Sequence, residues 1–300
     1  SPYRDRPRVV WPDGKTVASV GLDATARRWD TATGRQTGRF ATGGGLFQPY
    51  AISSDARLVA TTGPRIWDVG TGAPRPGFAD GSEDTGPVAL SPDGRWLAVG
   101  GTSHWAAEKS SPSRLWDVAA GKELGRAGEA PNSGVESIAV SPDGTLVAEA
   151  SQQGIVRFSG QVILRDRTGR ELRRFGASQV RYAALAFSPD GKTLATATGH
   201  AWAGKGGVQL WEVATGQLVR RLGEANPANC VAFSPDGKTV AVGRGLEVEL
   251  WDAAGGEEVG RFKGHQGGVT AVAFSPDGKT VASGSRDTTV LLWPAGGRGR

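Results

Sequence analysis

Three hundred residues with 38% hydrophobic content and 46 glycines can bury a sizeable core, and the glycine content suits short strands joined by tight turns. No run of 18 apolar residues occurs, which excludes a membrane-spanning helix within these residues, and the first residues do not read as a secretory signal. A net charge of +5 raises nucleic acid as a partner, and a single cysteine, Cys230, excludes an internal disulfide.

Taken in chain order, the predicted elements fall into seven units. Each opens on an inner strand that ends in a turn. The turns begin at Trp11, Ser53, Ser91, Ser141, Ser188, Ser234 and Ser275, 38 to 50 residues apart. Five read Ser-Pro-Asp-Gly; the first reads Trp-Pro-Asp-Gly and the second Ser-Ser-Asp-Ala. Pro presets φ for the first corner of a tight turn, and Asp and Gly tolerate the others. A strand-like run follows each turn and ends at Trp29-Asp30, Trp67-Asp68, Trp116-Asp117, Arg165-Asp166, Trp211-Glu212, Trp251-Asp252 or Trp293-Pro294. A turn repeated at this period predicts stacked small sheets rather than one continuous core.

Seven phased turns with seven phased partners, four of them Trp-Asp and three relatives of it, resemble the WD40 family, over essentially all 300 residues. The last unit is the fullest copy: Gly264-His265, Val272 to Gly278, Val281 to Ser285 and Thr289 to Trp293. The resemblance implies an all-β, seven-bladed WD40 β-propeller of four-stranded antiparallel blades, one domain over residues 1–300. It also implies that His265, Ser283, Asp287 and Trp293 form a hydrogen-bonded structural tetrad rather than a hydrolase triad. The first unit keeps Ser19, Asp23 and Trp29 but shows no matching His. TolB-like periplasmic propellers also repeat a Ser-Pro-Asp-Gly turn, yet the phased Trp-Asp ends and Gly264-His265 favour WD40.

Unit lengths vary in one place. From each Trp, or Arg165, to the next turn the spacing is 23 to 25 residues, whereas from a turn's fourth residue to the following Trp it is 11 to 22. The variable part lies between the second and third strands, and neighbouring units three, four and five carry the insertions. Unit three contains His104, Trp105 and Lys109; unit five contains His200, Trp202 and Lys205; unit four contributes Arg157 and Phe158. Aromatic residues beside cations in connecting loops are expected as a partner surface or as lids over their own blades. After Trp293 only seven residues remain, so the seventh blade is expected to lack a full outer strand, with the N-terminal segment sealing the ring beside it.

Basic residues recur at Arg35, Arg39, Lys122, Arg126, Arg170, Arg173, Arg174, Arg220, Arg221, Arg261 and Lys263. Each group falls where a propeller has its outermost strand, and edge charges discourage edge-to-edge pairing. No nucleic-acid-reading motif accompanies them. No zinc spacing, calcium loop, P-loop or nucleophile elbow occurs, so no metal, cofactor or catalytic residue is expected. Cys230 is expected as a small filler in a buried strand.

The expected function is therefore a non-catalytic protein-interaction or scaffolding propeller, monomeric as a domain, with no nucleic-acid or membrane partner. The alternative is a small-molecule-sensing or enzymatic propeller that uses the mouth of the central channel. The absence of Met gives the expectation of a piece of a longer protein, and the Gly, Ala and Arg bias that of a bacterial regulatory or signalling one. Similarity to WD40 arrays joined to kinases and sigma factors implies the same, with a cytoplasmic location.

Overall fold

A turn that clasps itself explains why the chain folds into many small sheets. In the computed structural model, which describes residues 8–20, 25–41, 50–61, 65–69, 71–78, 86–101, 112–127, 133–153, 159–176, 180–201, 206–223 and 226–296, six turns share one hydrogen-bond pattern. The Ser hydroxyl donates to the Asp two residues on, at 2.5–2.6 Å. The same oxygen accepts the N–H of the residue five positions on, at 2.9–3.0 Å. The Asp carboxylate takes a further N–H from the turn itself, at 3.0 Å. The fourth residue sits at positive φ, between 67° and 72° for the five glycines, and Ala56 is held at 50° in blade two.

The strands between these turns form seven antiparallel sheets. Blade one comprises β1 (Arg8–Asp13), β2 (Thr16–Val20), β3 (Thr25–Asp30) and β4 (Gln36–Ala41). Blade two comprises β5 (Tyr50–Ile52), β6 (Leu58–Thr61) and β7 (Arg65–Asp68). Blade three follows with β8 (Val88–Leu90), β9 (Trp96–Val99), β10 (Arg114–Asp117) and β11 (Lys122–Arg126). Blade four holds β12 (Ser133–Val140), β13 (Leu146–Gln153), β14 (Ser159–Asp166) and β15 (Glu171–Phe175). Blade five holds β16 (Val180–Phe187), β17 (Thr193–Ala201), β18 (Gly207–Glu212) and β19 (Leu218–Leu222). Blade six has β20 (Cys230–Phe233), β21 (Thr239–Arg244), β22 (Glu247–Asp252) and β23 (Glu258–Lys263), and blade seven β24 (Val269–Phe274), β25 (Thr280–Ser285) and β26 (Val290–Pro294). The innermost strands touch in cyclic order, β1 to β5, β8, β12, β16, β20, β24 and back to β1. The fold is a seven-bladed propeller.

Two blades have three strands among the described residues. Blade seven was expected to. Blade two was expected to have four, and its sequence supplies the reason for the shortfall. After β7 the chain reads Ala73-Pro74-Arg75-Pro76, and two prolines remove the N–H groups an outer strand would offer. What remains is a single bridge from Trp67 to Pro74, with Asp68 N–H donating to Ala73 O at 2.9 Å and Arg75 N–H to Ile66 O at 2.8 Å. Phe78, buried against Trp116 with ring centroids 5.8 Å apart, anchors this segment to blade three instead.

The core lies in the seams between blades. Ala195, Val208 and Leu210 of blade five pack on Val231, Val240 and Val242 of blade six, and Cys230 is buried in the seam between six and seven. The closing seam joins Val9, Trp11 and Val17 of blade one to Ala271 and Ala282 of blade seven. Trp11 occupies the turn position that is Ser elsewhere, and its indole N–H donates across the seam to Ala273 O at 3.2 Å. The one turn that departs from the Ser pattern at its first residue is thus the one that locks the ring.

Truncating this lock should be costly. Trp11→Ala should lower unfolding free energy by about 3–5 kcal/mol, as other buried Trp truncations do. Trp11→Phe, which keeps most of the ring but deletes the N–H, should cost about 1–3 kcal/mol. Urea unfolding followed by circular dichroism checks both, and a change below about 1 kcal/mol for Trp11→Ala would remove the locking role.

Candidate interaction face

The propeller has two unlike faces. One carries the clasped turns and the short connections between third and outer strands. The other carries the connections between second and third strands and those between blades. Toward this second face, the longest strands among the described residues belong to blades four and five. β12, β13 and β14 each run eight residues, and β17 runs nine, where β8 has three and β9 four. The insertion of blade four is in part a lengthened hairpin, with Gln153 opposite Ser159.

The inner strands of these two blades are bulged near the same rim, between Val135 and Ser137 in β12 and around Tyr182 in β16. Bulges re-aim side chains and gather near functional rims. Here the bulged Glu136 meets Arg181 of the next blade at 2.7 Å, with only 13% and 23% of their side chains exposed. This ion pair ties blade four to blade five beside the channel. Of the residues singled out from the insertions, His200 lies within β17, its backbone opposite Arg181. His104, Trp105, Lys109, Arg157, Phe158, Trp202 and Lys205 lie outside the described residues.

The other residues with chemical character cluster in blade seven. His265 is 3% exposed and Ser283 fully buried. His265 Nε2 lies 2.7 Å from Ser283 Oγ, and Nδ1 lies 3.0 Å from Asp287 Oδ2. Trp293 Nε1–H donates to Ser283 Oγ at 2.7 Å. With the ring proton on Nδ1, every group is matched: the indole N–H and the Ser hydroxyl point one way along the chain of bonds, toward Nε2, and Nδ1–H meets the carboxylate. Asp287 Oδ2 also takes the N–H of Gln266 at 2.8 Å, and Oδ1 takes Thr289 N–H at 2.9 Å and Oγ1–H at 2.6 Å. Burial pushes the Asp287 carboxyl up, but the donors on Thr289, Gln266 and His265 outweigh it and hold the group far below the usual carboxylate range.

Sequence reading found this network but missed how other blades replace it. The indole of Trp29 donates to Ser19 at 3.0 Å and that of Trp211 to Thr196 at 3.0 Å, the same register as Trp293 and Ser283. In blade six Val242 stands at the hydroxyl position, and Trp251 donates instead to Glu249 at 3.1 Å. Glu249, 2% exposed, is balanced by Arg244 and Arg261, each at 3.1 Å. Blade four exchanges both partners: Arg165 replaces Trp and Glu149 replaces the hydroxyl, paired at 2.9 Å. Blade three has Val99 at the hydroxyl position, and the buried indole N–H of Trp116 has no hydrogen-bond partner among the described residues. Reading each Trp, or Arg165, against the residue two beyond its cross-strand neighbour would have exposed the missing hydroxyls and Glu149, but not Glu249, which lies on the strand of Trp251 itself.

The basic groups do sit on or just before outer strands, and acids answer several of them. Arg126 pairs with Glu123, Arg174 with Glu171 at 2.7 Å, and Arg261 with Glu258 at 2.6 Å and Glu247 at 2.8 Å. Such pairing reduces the charge available to a phosphate backbone. Among the described residues no group of three or more His, Cys, Asp or Glu is placed to hold a metal ion, and no helix is long and apolar enough to cross a membrane.

Two consequences of the blade-seven network can be measured. His265→Ala should strand Ser283 and Asp287 and cost about 1–3 kcal/mol of stability. The Asp287 contribution has a defined acid dependence, because a depressed folded-state pKa stabilises the fold above the unfolded value of about 4 and loses that effect below it. The stability gap between wild type and Asp287→Asn should therefore be full at neutral pH and shrink as pH falls below about 4. A gap that widens with acid would reverse the assignment.

Comparison with known proteins agrees with this geometry. The family described as WD domain, G-beta repeat matches residues 216–252 and 256–294, which take in β19 to β22 and β23 to β26. No curated protein matches the chain.

Proposed function

We propose that this chain, which belongs to the WD40-repeat family, is a protein-interaction scaffold whose partner face is the rim carrying the insertions of blades three to five. The observation that carries the reading is the lengthening of strands toward this rim in blades four and five, to eight and nine residues, braced by Glu136 and Arg181. Loop insertions on a rigid ring vary at little cost to the fold, which is how a shared scaffold acquires a private partner. By sequence, Trp105, Phe158 and Trp202 belong to the insertions of consecutive units, with His104, Lys109, Arg157, His200 and Lys205 as polar companions. Aromatic residues beside cations are the composition of interaction hot spots.

WD40 propellers are typically non-enzymatic scaffolds, and the burial of the Ser-His-Asp set supports that reading for this one. A hydrolase needs its nucleophile open to substrate, whereas Ser283 is fully buried and its hydroxyl is engaged by Trp293 and His265. The set serves as a packing bolt for blade seven. In this reading the Gly, Ala and Arg bias favours a bacterial source, and the resemblance to WD40 arrays joined to signalling domains favours a regulatory or signalling role in the cytoplasm.

The test uses this chain as bait, beside a Trp105→Ala and Trp202→Ala double variant. A partner captured by the wild type should bind the variant at least about 30-fold more weakly, equivalent to a loss of about 2 kcal/mol. Thermal melting should change by less than about 2 °C. Unchanged affinity together with a melting point lowered by several degrees would identify both rings as lids and reject the face.

A further inference from the structure

The clasped-turn face contains a seat that the protein fills with its own side chain in one seam and leaves open in another. Between blades three and four, Trp96 follows its turn serine by five residues and is 5% exposed. Its indole lies so close to Gly144 of the next turn that a Cβ there would fall 2.1 Å from the ring. The guanidiniums of Arg95 and Arg167 lie 4.6 and 4.7 Å from the ring centre, both within cation–π reach. Arg167, from the connection between β14 and β15, also donates to Gly144 O at 2.9 Å.

The same register between blades five and six is built from different residues. Thr193 stands where Trp96 does, Gly237 where Gly144 does and Ala253 where Arg167 does. A Cβ on Gly237 would meet nothing nearer than Pro189, at 3.5 Å. Where the indole and its guanidiniums are missing, a cavity of about 460 Å³ opens, walled by Leu210, Val219, Phe233 and Ala253. That volume lies in the range of sites for small ligands. Val219, 59% exposed, forms an apolar outer wall. Asp190 and Asp236 also line the cavity, and neither lysine nor arginine does. The Ser188 and Ser234 hydroxyls, with the N–H groups of Lys192 and Lys238, hold these carboxyls below the usual range, so both are ionised at neutral pH.

Relative to the filled seat, this one lacks the indole and both guanidiniums, with Lys192 and Ala253 standing where Arg95 and Arg167 do. The turn carboxylates are common to both seams, Asp93 and Asp143 there and Asp190 and Asp236 here. We propose that the crevice between blades five and six binds a tryptophan side chain with an adjoining arginine, presented by a protein partner. The ring enters over Thr193 and Gly237 and packs on Leu210 and Phe233. The arginine stays at the mouth, facing Asp190 and Asp236. This site lies on the face opposite the inserted loops and stands or falls independently of them.

The experiment is a nuclear magnetic resonance titration of the isotopically labelled protein with the peptide acetyl-Gly-Trp-Arg-Gly-amide. Saturable shifts are expected at the amides of Thr193, Val219, Gly237 and Ala253. Replacing the peptide's Trp by Leu, or its Arg by Glu, should each weaken binding by about tenfold. Thr193→Trp should fill the seat from within, as Trp96 does, and abolish the shifts. Val219→Lys, at an exposed wall position that leaves the core intact, should weaken the Trp-Arg peptide by a similar factor through charge repulsion. The proposal is overturned if no saturable shifts occur, if they map to another surface, if the Leu peptide binds as well, or if a folded Thr193→Trp or Val219→Lys protein binds unchanged.

Discussion

A small sheet with two apolar faces cannot stand alone, and every other feature of this molecule follows from that constraint. Each blade covers one face with the blade before it and the other with the blade after, so burial is a property of seams. The buried clusters reflect this: one joins Ala60 and Ile66 of blade two to Leu97 and Trp116 of blade three, and another joins Val135 and Ile138 of blade four to Trp96 and Leu115 of blade three. An open row of blades would leave two apolar faces in water. The ring removes both, through Val9, Trp11 and Val17 against Ala271 and Ala282.

Because the seams carry the apolar burial, the polar positions inside each blade can change as long as they change in compensating sets. A buried N–H needs an acceptor, and the molecule supplies it by different routes: Ser19, Thr196 and Ser283 as hydroxyls, or Glu249 as a carboxylate balanced by two arginines. Arg165 and Glu149 go further and replace the indole with an ion pair in nearly the same space. Pairs of this kind contribute little net stability compared with an apolar filling, but losing one member leaves a buried charge uncompensated. The same logic governs small residues. Gly125 lets the Thr168 backbone of blade four sit against β11, and a Cβ there would come within 2.5 Å of it. Arg173 and Arg220 stand at the matching place in blades four and five and reach the next blade's connection instead, at Thr215 O and Gly255 O.

The two faces divide labour for a physical reason. A clasped turn uses its Ser and Asp side chains to close itself, which fixes its length and leaves little freedom for insertion. Among the described residues the opposite connections share no repeated clasp, the one closed by Ser285, Asp287 and Thr289 belonging to blade seven. Their length can therefore drift, and the spacing of blades three, four and five shows that drift. Specific recognition on the open face depends on loops held by a stiff ring. On the clasped face it depends on which seam keeps a side chain in the shared seat.

The sequence by itself determined the blade count, the phase of the strands and the position of the insertions, because these rest on short-range turn chemistry and strict spacing. It also named the four members of the blade-seven network, since they sit at fixed offsets in the fullest repeat. The aromatic and cationic residues of the insertions were equally legible as candidates. Loops without a repeating clasp encode no register, however, so spacing says nothing of what their side chains touch. Tertiary structure alone decided that Trp11 reaches Ala273 across 262 positions of chain, and that Glu249 rather than a hydroxyl receives Trp251. It alone revealed that Thr193 leaves open what Trp96 fills. The first and last depend on which residues two neighbouring blades bring face to face, a pairing that exists only once the ring has closed. The Glu249 contact instead lies within β22 and rests on how blade six pairs Arg244 and Arg261 beside it.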